Sequence, residues 1–286
     1  MKIDCPAKIN LTLEVLDRRA DGYHGIRSLM VPLELADELE IETSSQFSFT
    51  CDRADLTSDG NLVVRAARAC AAERPVRLSL HKRIPTQAGL GGGSSDAAAV
   101  LLAFMNGTLG APPCVDWLAV ARSLGSDVPF FLVQSGALVE GTGERLTSVG
   151  ALPDWHVLVV KPPAAVSTAD AYAQIDRESR PSRPRSSSVS LQAVEALQRR
   201  DFAATVSLLS NDFQDVIAAS TPEVATALDA LRRAGAPRPL LCGSGSAVFA
   251  LAQTAREIEQ LDRALVLPAE FTRFRTAFRR SDAWRA

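Results

Sequence analysis

Histidine and cysteine are scarce in this chain, and neither is clustered. Only His24, His81 and His156 occur, so a histidine-rich metal centre would need three distant segments to converge. Cys5, Cys51, Cys70, Cys114 and Cys242 are odd in number, lie far apart and form no C-x-x-C pair. That pattern argues against a disulfide framework and a zinc cage, and it points to the reducing cytoplasm. No uninterrupted apolar run is long enough to cross a bilayer, so a membrane is not an expected partner. The opening Met1 to Val15 alternates polar with apolar residues and lacks the layout of a signal peptide, so it is expected to be mature protein. There is also little net charge. A formal value of -2 gives no global attraction for nucleic acid, and anionic ligands must be held by local donors. The Arg177 to Ser190 segment is rich in arginine, serine and proline but has no interleaved aromatics. It is expected to be a mobile surface loop and not a nucleic-acid module.

What is present is an ordinary globular composition, 47% hydrophobic and 22% charged, able to build a core without disulfides or metals. A length of 286 residues exceeds one average domain, and two lobes sharing a cleft are expected. The boundary is placed near Asp154, giving lobes 1–153 and 154–286. From Lys8 to Val15 the residues alternate strictly, so Lys8, Asn10 and Thr12 share one face of a strand and Ile9, Leu11 and Leu13 the other. Asp21-Gly22 marks a turn, and Ile26 to Leu33 and Asp37 to Glu42 read as two further strands. Asn61 to Ala72 has helical spacing, and Val76 to Leu80 alternates again. A glycine run, Gly89-Leu90-Gly91-Gly92-Gly93, then leads into a helix over Asp96 to Met105, with Ser94 or Ser95 as N-cap. In the second half, Trp155 to Lys161 reads as a strand, and Leu240 to Leu251 as strand, glycine-serine bend and strand. The pattern as a whole is α/β, with an α+β second lobe.

Glycines at 89, 91, 92 and 93 let backbone amides approach a ligand, and the helix that follows adds its unpaired N–H groups and positive dipole end. The place suits a polyphosphate. A Walker A loop would need lysine and then serine or threonine after the last glycine, and Ser94-Ser95 follow directly. Neither an H-R-D nor a D-F-G sequence is present, which removes the protein kinases.

Gly89 to Ala98 instead resembles the phosphate-binding motif of the GHMP kinases. Further segments carry the resemblance along nearly the whole chain: Pro6-Ala7-Lys8-Ile9-Asn10-Leu11, Arg19-Ala20-Asp21-Gly22-Tyr23-His24, Leu124 to Phe131, and Cys242-Gly243-Ser244-Gly245-Ser246. They are most similar to the branch that phosphorylates the tertiary 2-hydroxyl of a cytidine-diphosphate-linked methylerythritol, in the non-mevalonate isoprenoid route. The resemblance implies a two-lobe fold with a left-handed βαβ nucleotide lobe, ATP and Mg2+ as cofactors, and a small-molecule cytidine diphosphate substrate. It implies that Lys8 and Asp127 flank the reacting hydroxyl, with Asp127 taking its proton. Taken alone, Asp127 reads as the N-cap of a helix starting at Val128-Pro129, and Lys8 as a solvated strand residue.

Asn10, Tyr23, His24, Thr168 and Tyr172 are the implied substrate contacts, with the Tyr23-His24 pair facing the cytosine. Thr168 also reads as a helix cap. For the nucleotide the candidates are Asn61, Lys82, Gly89, Gly91, Gly92, Gly93, Ser94 and Ser95, with Gly243, Ser244 and Gly245 closing the cleft from the second lobe. No motif identifies the magnesium ligands, and a monomer and a homodimer both fit. The competing readings are a homoserine or mevalonate-type kinase of the same superfamily and a non-catalytic binding protein on the same scaffold.

Overall fold

The computed structural model describes residues 1–19, 22–70, 75–107, 109, 115–177 and 188–280. Ala20, Asp21, Cys114 and nearly all of the arginine-serine segment lie outside the described residues. Among the described residues, eleven strands fall in two sheets. The first strand, β1 (Lys2–Arg18), runs antiparallel to β2 (His24–Thr43) through most of its length. The expected strands at 26–33 and 37–42 are therefore one strand. The register shifts between Pro6 and Lys8, where the Leu33 to Leu35 stretch bulges away from β1 without ending β2.

Beyond β2, β3 (Ser48–Cys51) connects through α1 (Leu62–Cys70) to β4 (Val76–His81), and β3 and β4 pair in parallel, so this stretch is a βαβ unit. After the glycine loop come α2 (Gly92–Met105), α3 (Trp117–Leu124) and α4 (Val128–Leu132), then the hairpin of β5 (Ala137–Gly141) and β6 (Arg145–Ser148). The first sheet has the order β3-β4-β2-β1-β8, with β5 on β2 and β6 on β5.

Its strand β8 (Ser210–Asn211) comes from the second half of the chain and pairs in parallel with Thr12 and Leu13 of β1. The smaller sheet, β11-β7-β10-β9, is built from β7 (His156–Lys161), β9 (Leu240–Leu241), β10 (Val248–Ala252) and β11 (Thr272–Ala277). Helices α5 (Thr168–Ile175), α6 (Val189–Gln198), α7 (Phe202–Leu208), α8 (Gln214–Ser220), α9 (Pro222–Arg233) and α10 (Ala255–Ala264) complete the fold.

The alternation of β1 explains how the sheets meet. Ile9 and Leu11 on one face pack with Val157, Val159 and Phe249 of the smaller sheet in one apolar cluster. The other face carries Lys8, Asn10 and Thr12, which are buried as well, at 3%, 2% and 0% exposure. Burying three polar side chains in a row is costly unless each finds a partner. That face therefore marks a built site.

Helix α2 is the spine of the first half. Its alanine-rich run, Ala97 to Ala99, allows close approach on every side, and Ser95 through Phe104 are buried. It starts four residues earlier than the sequence suggests. Gly91 is the N-cap, in the left-handed region at φ 71°, and neither Ser94 nor Ser95 caps the helix. Only glycine takes that backbone angle freely, so the loop turns straight into the helix at Gly92. The first helical bond is Ser95 N–H to the Gly91 carbonyl, which leaves the amides of Gly92, Gly93 and Ser94 without a partner inside α2.

Candidate active site

Two glycine loops close on Lys8. From the first, the Leu90 carbonyl accepts from the Lys8 amide at 2.9 Å. A Cβ added to Gly91 would come within 2.9 Å of Lys8 Cγ and 3.0 Å of Phe131 Cζ, so this approach needs glycine. The second loop, after β9, places the α-carbon of Gly243 so that an added Cβ would lie 3.2 Å from Lys8 Nζ. The two loops also hold each other: Ala247 N–H donates to the Ala88 carbonyl at 3.1 Å, and a Cβ at Gly89 would overlap the Cys242 carbonyl. Asn211 on β8 pins the second loop by donating from Nδ2 to the carbonyls of Leu241 and Gly243, at 2.8 and 2.7 Å.

Lys8 Nζ donates to Asn10 Oδ1 at 2.8 Å and stands 3.4 Å from Asp127 Oδ2. The two side chains differ in solvent access. That of Lys8 is 4% exposed and that of Asp127 is 36% exposed, so the carboxylate is the open end of the pair. Asp127 does occupy the N-cap position of α4, but its side chain makes no capping bond. Its carboxylate is directed to the lysine instead. Lys8 is no solvated strand residue, since it is buried and its ammonium faces an amide oxygen and a carboxylate.

A cavity of about 580 Å3 extends from this pair. Lys8, Asn10, Tyr23, His24, Gly89, Gly91, Asp127, Thr168, Tyr172, Gly243 and Ser244 all line it. In its wall His24 stacks on Tyr172, with ring centroids 5.7 Å apart and planes 15° off parallel, and Tyr172 meets Phe213 edge-on. The imidazole is held at both nitrogens, Nδ1 against the Leu16 carbonyl at 2.9 Å and Nε2 against Asp176 Oδ1 at 2.7 Å. Burial, together with the charge of Asp127, pushes the Tyr172 phenol up to about 12. Tyr23, by contrast, is 69% exposed at the rim. Thr168 is the first residue of α5, whose cap is Ser167, and its hydroxyl pairs with that of Ser244 at 3.0 Å. A second groove adjoins this cavity, sharing Tyr23, Ser126 and Thr142 and adding Arg19, Arg122 and Glu144.

The remaining candidates lie outside this cavity. Gly92, Gly93 and Ser94 present the unpaired amides of α2, and the Ser94 hydroxyl lies near Gly125. The Ser95 hydroxyl is buried with no hydrogen-bond partner, and Gly245 packs against Leu241, Ile217 and Val166. Asn61 caps the start of α1, accepting from Val63 N–H at 2.9 Å and donating to the Leu56 carbonyl.

Lys82 sits under the glycine loop, with its side chain 6% exposed, bonded to Asp37 and, at 2.7 Å, to Asp96. Burial alone would depress its ammonium, but the charges of Asp96 and Asp37 outweigh that and raise it. Burial pushes Asp96 up to about 8, against the pull of Lys82. Two of the three donors of this ammonium are committed, to Asp37 and Asp96. Sequence reasoning also missed Asp176 and Phe213. The signal for Asp176 was available: Thr168, Tyr172 and Asp176 recur every four residues, one face of α5.

The fold and the two glycine loops define a class. The GHMP kinases N terminal domain model matches residues 61–135, and the GHMP kinases C terminal model matches residues 193–267. Homoserine kinase from Cytophaga hutchinsonii, at 15% identity, superposes with a TM-score of 0.68 over 97% of this chain and 94% of that one, a likeness of fold alone. More specific similarity runs to 4-diphosphocytidyl-2-C-methyl-D-erythritol kinases. That of Deinococcus radiodurans is 43% identical, with 91% of this chain and 87% of that protein covered. That of Anaeromyxobacter sp. is 39% identical, with 93% and 90% covered. A crystal structure of 4-(cytidine 5'-diphospho)-2C-methyl-D-erythritol kinase, 35% identical, superposes with a TM-score of 0.80 over 97% of this chain and 98% of that one. The chain belongs to the GHMP kinases, in the family of these 4-diphosphocytidyl-2-C-methyl-D-erythritol kinases.

Proposed function

We propose that this protein transfers the γ-phosphoryl group of ATP to the 2-hydroxyl of 4-diphosphocytidyl-2-C-methyl-D-erythritol, giving the 2-phosphate and ADP in the non-mevalonate isoprenoid route. The observation that carries the reading is a buried lysine facing a half-open carboxylate, at the junction of two glycine loops and a cavity with a stacked aromatic pair in its wall. The names of the relatives support the choice of substrate.

In this reading Asp127 accepts the hydroxyl proton as the oxygen attacks phosphorus. A tertiary alcohol is a weak acid and crowded, so holding it against the carboxylate matters as much as removing the proton. Lys8 meets the negative charge that builds on the entering oxygen and the transferred phosphoryl group. The free amides at Gly92, Gly93 and Ser94 hold the phosphates, at the end of a loop whose Gly89 and Gly91 pack too closely on Cys242, Lys8 and Phe131 to carry side chains. The stacked pair His24 and Tyr172 presents a planar face, which fits the cytosine, and exposed Tyr23 lines the same cavity.

The oxygen donors nearby suit a magnesium ion in kind. Ser94 Oγ lies near Gly125, two residues before Asp127, so a hydroxyl and a carboxylate stand on neighbouring segments. Mg2+ arriving with ATP would neutralise phosphate charge there. The described acidic cluster of Glu38, Glu40 and His81 is a poorer fit, because Lys2 already bridges the two glutamates. Among the described residues no helix is long and apolar enough to cross a membrane, and the reading places the enzyme in the cytoplasm.

The test is ADP release from Mg-ATP with 4-diphosphocytidyl-2-C-methyl-D-erythritol, mevalonate or homoserine offered separately. Turnover with the cytidine substrate alone is expected. Turnover with mevalonate or homoserine instead would sink the substrate assignment.

A further inference from the structure

Behind Lys8 the hydrogen bonds have only one possible direction. Ser28 on β2 is wholly buried, and its hydroxyl donates at 2.6 Å to the Thr12 carbonyl. A carbonyl can only accept, so the one hydrogen of Ser28 is committed and its oxygen is left as an acceptor. Asn10 Nδ2 donates to that oxygen at 2.7 Å. The amide is thereby oriented with Oδ1 outward, where Lys8 Nζ donates to it at 2.8 Å. The lysine end demands the same orientation, because an ammonium carries hydrogens only and would repel Nδ2. The backbone behind this chain of bonds is fixed from both sides, since Ser28 pairs with Leu13 of β1 and Val139 of β5.

The consequence is a spacing. Lys8 Nζ stands 2.8 Å from a neutral amide and 3.4 Å from a carboxylate, although charge alone favours the shorter contact with Asp127. We infer that Ser28 is a positioning residue for phosphoryl transfer: through Asn10 it holds Lys8 back from Asp127, keeping open the gap in which the acceptor hydroxyl is deprotonated. Ser28 touches neither substrate nor reacting atom in this arrangement. The inference rests on reading Lys8 and Asp127 as the transfer pair.

The experiment compares Ser28→Ala and Ser28→Thr with wild type in steady-state kinetics with Mg-ATP and the cytidine acceptor, alongside thermal unfolding and the crystal structure of the alanine variant. Ser28→Ala should lower kcat by roughly tenfold or more, as small misplacements at a reacting centre do. KM for ATP should stay within about twofold, because the amides of α2 are untouched. Lys8 Nζ should close on Asp127 to about 2.8 Å, the length of a charge-assisted bond. Ser28→Thr, which keeps the hydroxyl, should recover most of the rate. An unchanged kcat in Ser28→Ala would overturn the inference. So would a loss accompanied by a proportional rise in both KM values and a large fall in unfolding temperature, which would mean general disorder. Asp127→Asn is run in parallel: if it remains active, the transfer pair itself is wrong, and that failure is distinct from a silent Ser28→Ala.

Discussion

Lys8 and Lys82 are both buried lysines facing carboxylates, and they do different things. Lys82 is enclosed by Asp37 and Asp96, whose side chains are 0% and 2% exposed. Asp37 also accepts from the amides of Arg83 and Ile84, so the cluster binds the end of β4 to the base of α2. Lys8 has one carboxylate partner, at longer range and on the wall of a cavity. A charge whose partners surround it holds structure together. A charge with an open side can be used in chemistry. The sequence does not separate the two cases, since each lysine lies close to a segment that resembles the family's motifs.

Substitutions can break this comparison. The largest kinetic effect is expected at Asp127: Asp127→Asn should lower kcat by roughly 10²–10⁴-fold, the usual weight of a general base, with little change in unfolding temperature. Lys82→Met should do the reverse. It leaves the buried Asp37–Asp96 pair without its cation and should cost about 3–5 kcal/mol of stability, read by denaturant unfolding, with any activity loss following the unfolded fraction. If Lys82→Met folds normally but loses ATP affinity, the two lysines are not as distinct as their surroundings imply.

A pH series sharpens the same contrast. Asp96 is raised in the folded protein to about 8, far above an ordinary carboxyl, so the folded state retains a proton that the unfolded chain releases. Stability from this group is complete below the unfolded carboxyl range, near pH 4, and is lost as pH rises through about 8. Urea unfolding across that range should show the decline, and Asp96→Asn, which cannot ionise, should flatten it. The smallest effect is expected at the aromatic pair. Tyr172→Ala removes the ring on which His24 stacks and should raise KM for the cytidine acceptor by up to about tenfold, the worth of one aromatic pair. KM for ATP should not move.

The parts of the site that could be read in the sequence are those set by local rules. Period-two alternation put Lys8 and Asn10 on one face, and the glycine run announced a helix whose first amides have no partner inside it. Only its first residue was misplaced, because Gly91 makes the turn that Ser94 or Ser95 was expected to make. Asp127 looked like a cap by position, and only the absence of a capping bond in three dimensions distinguishes it. The roles of Ser28, Asn211 and the partners of Lys82 depend on contacts between residues far apart in the chain, such as Lys82 with Asp37. No spacing rule reaches those. The small strand β8 was missed for a similar reason, since two residues carry no periodic signal yet place Asn211 under the second glycine loop.

The most direct test of the central claim is phosphorus NMR of Mg-ATP mixed with 4-diphosphocytidyl-2-C-methyl-D-erythritol, with wild type and folded Asp127→Asn side by side. A new phosphomonoester resonance growing with ADP in the wild-type sample, and absent over the same time with the variant, is the predicted result. Equal growth in both samples would contradict the assignment of Asp127 as the group that takes the proton.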